Sequence, residues 1–309
     1  AYKNGAKVLR NFRILSQGGI RRRPGLQYFK TLTNTTYQVE PYIYDEDEAY
    51  IVLFSNAKAE IIDVTDPSTI VSTITGCPWT TAMISELKVA QSGDTMIIVH
   101  PDMAMQKLTR TAADTFSRSA YEFSSDNGFK RQPYFRFSDP SVTLDPANTS
   151  TSNQTITASA SIFSSDWVGE FIEFTDTNND KHHIEVIAHL SGTQITGKFS
   201  SAPHNHNAVT TWSEQVFSTR NGFARSVIFH DQRLIFGGSK NLPNHIFFSK
   251  VGNFFNFDVG TGLDNESIQV QIAENQVSEI KSLSSLRHLS IFTSEKELFV
   301  PTVDDKPLT

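Results

Sequence analysis

The strongest constraint in this sequence is a plan it repeats four times: a short apolar strand, a polar turn and a second strand. Residues 49–54 and 59–64 make the first copy, 95–100 and 105–109 the second, 232–236 and 245–249 the third, and 288–293 and 297–300 the fourth. Most of these runs are rich in Ile, Val, Leu and Phe, which suits a pleated, half-buried sheet surface. Aligned on Tyr50, Met96, Arg233 and Leu289, the copies lie 46, 137 and 56 residues apart. Blades of β-propellers recur at roughly 40–50 residues, so the first spacing is one blade and the second is a blade plus an insertion of about 90 residues. The predicted fold is all-β, a β-propeller-like domain interrupted by an inserted small β domain. An array of β-sandwiches is the alternative.

The predicted divisions are an N-terminal arm over 1–40, a first propeller part over 41–130, the inserted β domain over 131–222 and a second propeller part over 223–309. Within the insertion, residues 138–165 are rich in Ser, Thr, Asn, Asp and Pro, which marks loops or a polar strand pair. Residues 171–174 and 183–187 alternate in polarity around Asp176-Thr177-Asn178-Asn179-Asp180, a hairpin signal. Val277, Ile280, Leu283 and Leu286 stand three apart and permit a helix, but Ser282, Ser284 and Ser285 fit a strand equally well. The start at Ala1 and the end at Thr309, just after a strand-like segment, suggest a piece of something longer.

Charge and cysteine content narrow the function classes. The 27 Lys and Arg against 33 Asp and Glu leave a formal charge of −6, unlike a free-standing nucleic-acid binder. Cys77 is the single cysteine, so no intrachain disulfide and no cysteine-based metal site is expected. The chain has no run of eighteen or more apolar residues, and no membrane span is predicted. The motifs of nucleophile-elbow hydrolases, P-loop enzymes, zinc proteases and dinucleotide binders do not appear. No catalytic residue, cofactor or metal site is predicted.

Several local patterns were weighed on their chemistry. Arg21-Arg22-Arg23 is a concentrated basic run, read as a subunit interface, with solvated and DNA-facing roles as alternatives, because Arg forks match carboxylates as well as phosphates. Asp45-Glu46-Asp47-Glu48 reads as a solvated hairpin tip. Asp176, Asn178 and Asp180 resemble the opening of a calcium loop, but Lys181 stands where an EF-hand needs Gly and Ile187 where it needs Glu. His182-His183 point to opposite faces of a strand, and His204 and His206 share a face without a third ligand that spacing can place.

Two segments carry a resemblance to a family. Residues 11–25 pair Gly18-Gly19 with Arg21-Arg22-Arg23-Pro24-Gly25, and residues 229–238 read Phe-His-Asp-Gln-Arg-Leu-Ile-Phe-Gly-Gly, continuing through Pro243, Ser249-Lys250, Gly252, Phe254, Phe255, Phe257 and 264–268. Together they resemble the tail tubular protein B, or tail nozzle, of short-tailed bacteriophages (podoviruses). The resemblance covers about a quarter of the chain. It implies a structural, non-enzymatic virion subunit, made in the host cytoplasm, that forms a homo-oligomeric ring, usually a hexamer. Such a ring contacts the tail adaptor and tail fibre proteins and passes DNA through its lumen without specific binding during ejection.

Beside that likeness stands a physical reading. Gly18-Gly19, Gly25, Gly237-Gly238, Gly252 and Gly260 are expected at backbone angles closed to other residues, where they shape turns, and Pro24 to fix the chain before Gly25 in a tight turn. Arg233 is expected to bond carbonyls or a carboxylate across a blade, and Phe254, Phe255 and Phe257 to close one blade against the next. The rival readings are a carbohydrate-binding propeller of a fibre or spike, which exposed aromatics on one blade face would favour, and a polysaccharide-degrading enzyme, which needs two carboxylates in a groove.

Overall fold

Alternation and turn chemistry account for most strands of the computed structural model, which describes residues 8–25, 28–272 and 277–301. A two-stranded ribbon, β1 (Phe12–Ile14) and β2 (Ile20–Arg22), comes first. Blade I is β3 (Gln38–Ile43), β4 (Ala49–Ser55), β5 (Lys58–Asp63) and β6 (Ile70–Thr75); blade II is β7 (Lys88–Ser92), β8 (Thr95–His100), β9 (Met103–Ala112) and β10 (Thr115–Ala120). A short hairpin, β11 (Ser125–Asp126) and β12 (Phe129–Lys130), leads into the insertion. Its strands are β13 (Tyr134–Phe135), β14 (Leu144–Pro146), β15 (Gln154–Ala158), β16 (Phe171–Thr175), β17 (Lys181–Ser191), β18 (Gln194–Phe199) and β19 (Trp212–Gln215). Blade III is β20 (Ser226–His230), β21 (Arg233–Gly237), β22 (His245–Phe248) and β23 (Ile268–Gln271), and blade IV is β24 (Ile280–Ser285), β25 (Leu289–Thr293) and β26 (Glu297–Val300).

Each blade is an antiparallel meander, and the four small sheets are arranged like the blades of a four-bladed β-propeller. The segment that permitted helix or strand is a strand, β24, because Ile280 and Leu283 turn inward onto blade III while the serines pair with β25.

The packing explains why some strands read as continuous apolar runs. Blade II is covered on both faces: Met96 and Ile98 of β8 face blade I, while Ile97 and Val99 face blade III. Likewise Leu234 and Phe236 of β21 face blade II, and Ile235 faces blade IV. The buried clusters therefore form three seams, I with II, II with III and III with IV; among the described residues no buried cluster joins IV to I. Trp79 caps the first seam, wholly buried, with its Nε1 donating to the Ser55 carbonyl at 3.0 Å. Burying a side chain of this kind contributes about 1.5–3 kcal/mol.

The insertion has its own core of Leu144, Ile156, Trp167, Ile172, Phe174, Ile184, Phe199 and Trp212, among others. Its seven strands run in the order β13-β19-β16-β17-β18-β15-β14, and the sheet curls until Leu144 bridges to Val209, just ahead of β19. It is anchored to blade III through main-chain bonds from Ser124 to Phe255 and from Phe257 to Arg131, with an Arg131–Asp258 ion pair at 2.5 Å alongside.

Candidate interaction surfaces

Arg233 opens β21 on the same side of that strand as Ile235. Its guanidinium is wholly buried and donates from Nη1 to the carbonyls of Ser249 (2.7 Å) and Glu266 (2.5 Å) and from Nη2 to that of Asp264 (2.6 Å). The expectation that this Arg bonds carbonyls across a blade describes its contacts: it ties β21 to the loop between β22 and β23. Burial acts against the charge and lowers its proton affinity, yet an arginine stays charged at any pH a protein meets.

The aromatic residues of the same segment lie on the II–III seam. Phe257 is buried, stacked on Phe236 at 5.2 Å and edge-on to Phe123 at 5.5 Å. Phe255 stacks on Tyr121 at 5.3 Å, and Phe254 meets Phe229 edge-on at 5.0 Å while its carbonyl accepts from the Tyr121 hydroxyl.

Of the glycines expected at such angles, Gly18, Gly19, Gly238, Gly252 and Gly260 take a positive φ, and Gly25 and Gly237 do not. Gly238 does take a positive φ of 63°, and a Cβ there would stand 3.0 Å from the Pro243 carbonyl. Gly237 lies within β21 without a positive φ; its need is space, since a Cβ would stand 3.0 Å from Ile280 and 3.1 Å from Leu283 across the III–IV seam. A turn over Pro24 and Gly25 would run on into residues outside the described ones; Gly25 itself has neither a positive φ nor a close neighbour. The reversal falls earlier, at residues 15–19, where Gly18 and Gly19 have φ of 84° and 94° and two backbone bonds join Leu15 to Gly18 and Gly19. Two adjacent glycines take that reversal more cheaply than Pro-Gly, because both its positions need positive φ and proline is locked at negative φ.

That reversal makes the arm a ribbon with two unlike faces. Phe12, Ile14 and Ile20 share one face with Arg22, and Arg13 stands directly opposite Arg21 on the other. All six residues are exposed, and among the described residues none of Arg10, Arg13, Arg21, Arg22 and Arg23 is in an ion pair. The first acidic residue of the chain is Glu40, so residues 1–39 carry eight Lys and Arg and no Asp or Glu. The remaining 19 basic and 33 acidic residues leave the rest of the chain at −14.

In the sequence Asp176 and Asp180 belong to one turn, His182 pairs with His183 and His204 with His206. The structure gathers Asp176, Asp180, His182 and His204: Asp176 follows the last residue of β16, the turn returns through Asp180 to His182 at the start of β17, and the loop after β18 lays His204 over the tip. The acidic run at 45–48 is a hairpin tip as expected, but Glu48 is not merely solvated, because it holds Arg110 of blade II in a two-pronged ion pair. No helix among the described residues is long and apolar enough to cross a membrane.

The fold and these surfaces define an all-β, propeller-like protein with an inserted β domain. No protein-family model matches the chain, and no curated protein matches it.

Proposed function

We propose that this chain is a structural, non-enzymatic subunit of a short-tailed bacteriophage virion, a building block of the ring that forms the tail tube or nozzle. The observation that carries the assembly part is the N-terminal ribbon. A two-stranded ribbon has marginal stability in water, and directly opposed like charges weaken it further. An apolar face of Phe12, Ile14 and Ile20 and an unpaired Arg13–Arg21 rung find their complement on a body carrying −14. A neighbouring subunit supplies such a body, and head-to-tail docking repeated by rotation closes a ring. The likeness of residues 11–25 and 229–268 to the nozzle family supports the tail assignment and the hexamer, with adaptor and fibre proteins as neighbours and DNA passing through. A net negative chain suits a conduit, since few phosphate contacts form to hold the DNA.

Two measurements test this. Mass photometry and negative-stain microscopy of the purified chain are expected to find rings that dissociate in high salt and do not form when residues 1–25 are deleted; monomers at all concentrations refute the ring. Gold label against the inserted domain is expected around the tail of source virions, and its absence from particles refutes the tail assignment. Phe292 and Phe299 favour a second reading. Both are exposed on the outward face of blade IV, where aromatic rings suit a sugar. Binding of host-surface glycan by the wild type and its loss in Phe299→Ala is the result that this glycan-binding reading requires.

A further inference from the structure

Three ligand-bearing side chains converge at the tip of the β16–β17 hairpin of the inserted domain. His204 Nδ1 lies 3.0 Å from Asp180 Oδ2 and 3.3 Å from Asp176 Oδ2, and the ligand atoms of the three residues all fall within 4.8 Å of one another. His204 Nδ1 faces two carboxylate oxygens at once, an arrangement that a shared N–H or a cation between the three groups satisfies. Zinc binds nitrogen and oxygen at about 2.0–2.2 Å, which places neighbouring ligand atoms of a tetrahedron about 3.3–3.6 Å apart. The two imidazole-to-carboxylate edges are close to that separation.

The surroundings are built for a fixed ligand. The Asp176 side chain is wholly buried. Its Oδ1 accepts from the amides of Asn178 (2.9 Å) and Asp180 (3.1 Å), and its Oδ2 accepts from the His204 amide at 3.0 Å. Burial acts to raise its proton affinity, but these amides and His182 outweigh it and keep the carboxyl well below the usual range, hence ionised. His182, also buried, lies with Nε2 3.3 Å from Asp176 Oδ2 and Nδ1 2.8 Å from Ser201 Oγ, the outer-shell partnership that orients ligating carboxylates. Asp180 and His204 are half-exposed, so an ion has an entry path.

We infer that Asp176, Asp180 and His204 bind a divalent transition-metal ion of the zinc kind at the tip of the β16–β17 hairpin, with His182 positioning Asp176. An imidazole with two carboxylates favours such an ion over magnesium or calcium, which take all-oxygen shells. Three protein ligands leave a position for water or for a group from a partner. The ion adds to the bonds that already join residues 200–207 to the hairpin: the Ser200–His183 and Ser201–His182 contacts, the His204 amide on Asp176 and Asn205 Nδ2 donating to Thr177 Oγ1. This site is independent of whether the chain forms a ring.

The test uses the full chain, stripped with chelator and titrated with zinc chloride by calorimetry, with cobalt(II) as a spectroscopic substitute. One equivalent is expected to bind, cobalt to develop the intense visible bands of a low-coordinate nitrogen and oxygen site, and zinc to slow hydrogen exchange across residues 200–207. Asp180→Asn and His204→Ala are each expected to weaken binding at least tenfold, and His182→Gln to weaken it less. Because Asp180 and His204 are half-exposed, their variants keep the fold, which circular dichroism verifies. No zinc uptake by the stripped wild type, or equal uptake by the Asp180→Asn/His204→Ala double variant, overturns the inference.

Discussion

Replacing Arg233 by Ala removes the donor of three hydrogen bonds to carbonyls and leaves a cavity in blade III. Ser249 is buried, so its carbonyl loses a partner with little access to water, whereas the bonds to Glu266 and Asp264 are only part-buried and water replaces them in part. A buried acceptor left unsatisfied costs about 1–3 kcal/mol, and a hydrogen bond from a charged donor contributes about 1.5–3 kcal/mol. With water recovering part of the loss, Arg233→Ala is expected to cost roughly 3–5 kcal/mol, within the range for breaking a buried network. Lys places a point charge at the end of an unforked stem and cannot serve both sides of the fork, so Arg233→Lys recovers only part of that loss. Urea unfolding, with hydrogen exchange of residues 226–271 as the local probe, measures both variants. The inserted domain has its own core and serves as an internal reference whose exchange does not change. A cost under about 1 kcal/mol for Ala, or Lys matching Arg, refutes the assignment of this side chain as the tie between β21 and the following loop.

Three further outcomes follow from the packing. Gly237→Ala drives a methyl against Ile280 and Leu283 and is expected to cost about 1–3 kcal/mol, read as a fall in the urea midpoint. Phe257→Ala empties the II–III seam between Phe236 and Phe123 and is expected to cost about 3–5 kcal/mol by the same measurement. Burial holds the imidazoles of His100 and His245 below their ordinary 6.5, so as pH falls through 6.5 the unfolded chain takes up protons that the native one refuses. The urea midpoint is therefore expected to drop from pH 7.5 to pH 5.5, with a shallower slope in His245→Gln; an equal slope rules out His245 as a contributor.

Strand positions and the all-β class were legible because they are written locally. The four repeats predicted the hairpins at β4–β5, β8–β9, β21–β22 and β25–β26, and the polar turn at 176–180 predicted β16–β17. Runs such as Thr95–His100 were legible as strands, but that both their faces are covered came from the packing of blades I and III against them. Arg233, too, betrayed itself as a charge at the start of an apolar strand. Other features depend on residues distant in sequence. Gly237 is glycine because β24, some forty residues on, approaches its face.

By itself, then, the amino-acid order determined the alternation, the turns, the division of charge between a basic first 39 residues and an acidic remainder, and hence the all-β plan. Only the tertiary structure decided which side chains meet. His204 is 28 residues from Asp176, and His182 is read in sequence as half of a His-His pair, yet the curl of one sheet places both against a single buried carboxylate. Periodicity reports which face of its own strand a residue takes; the distance between two such residues is set by how the strands pack, and no local pattern records it.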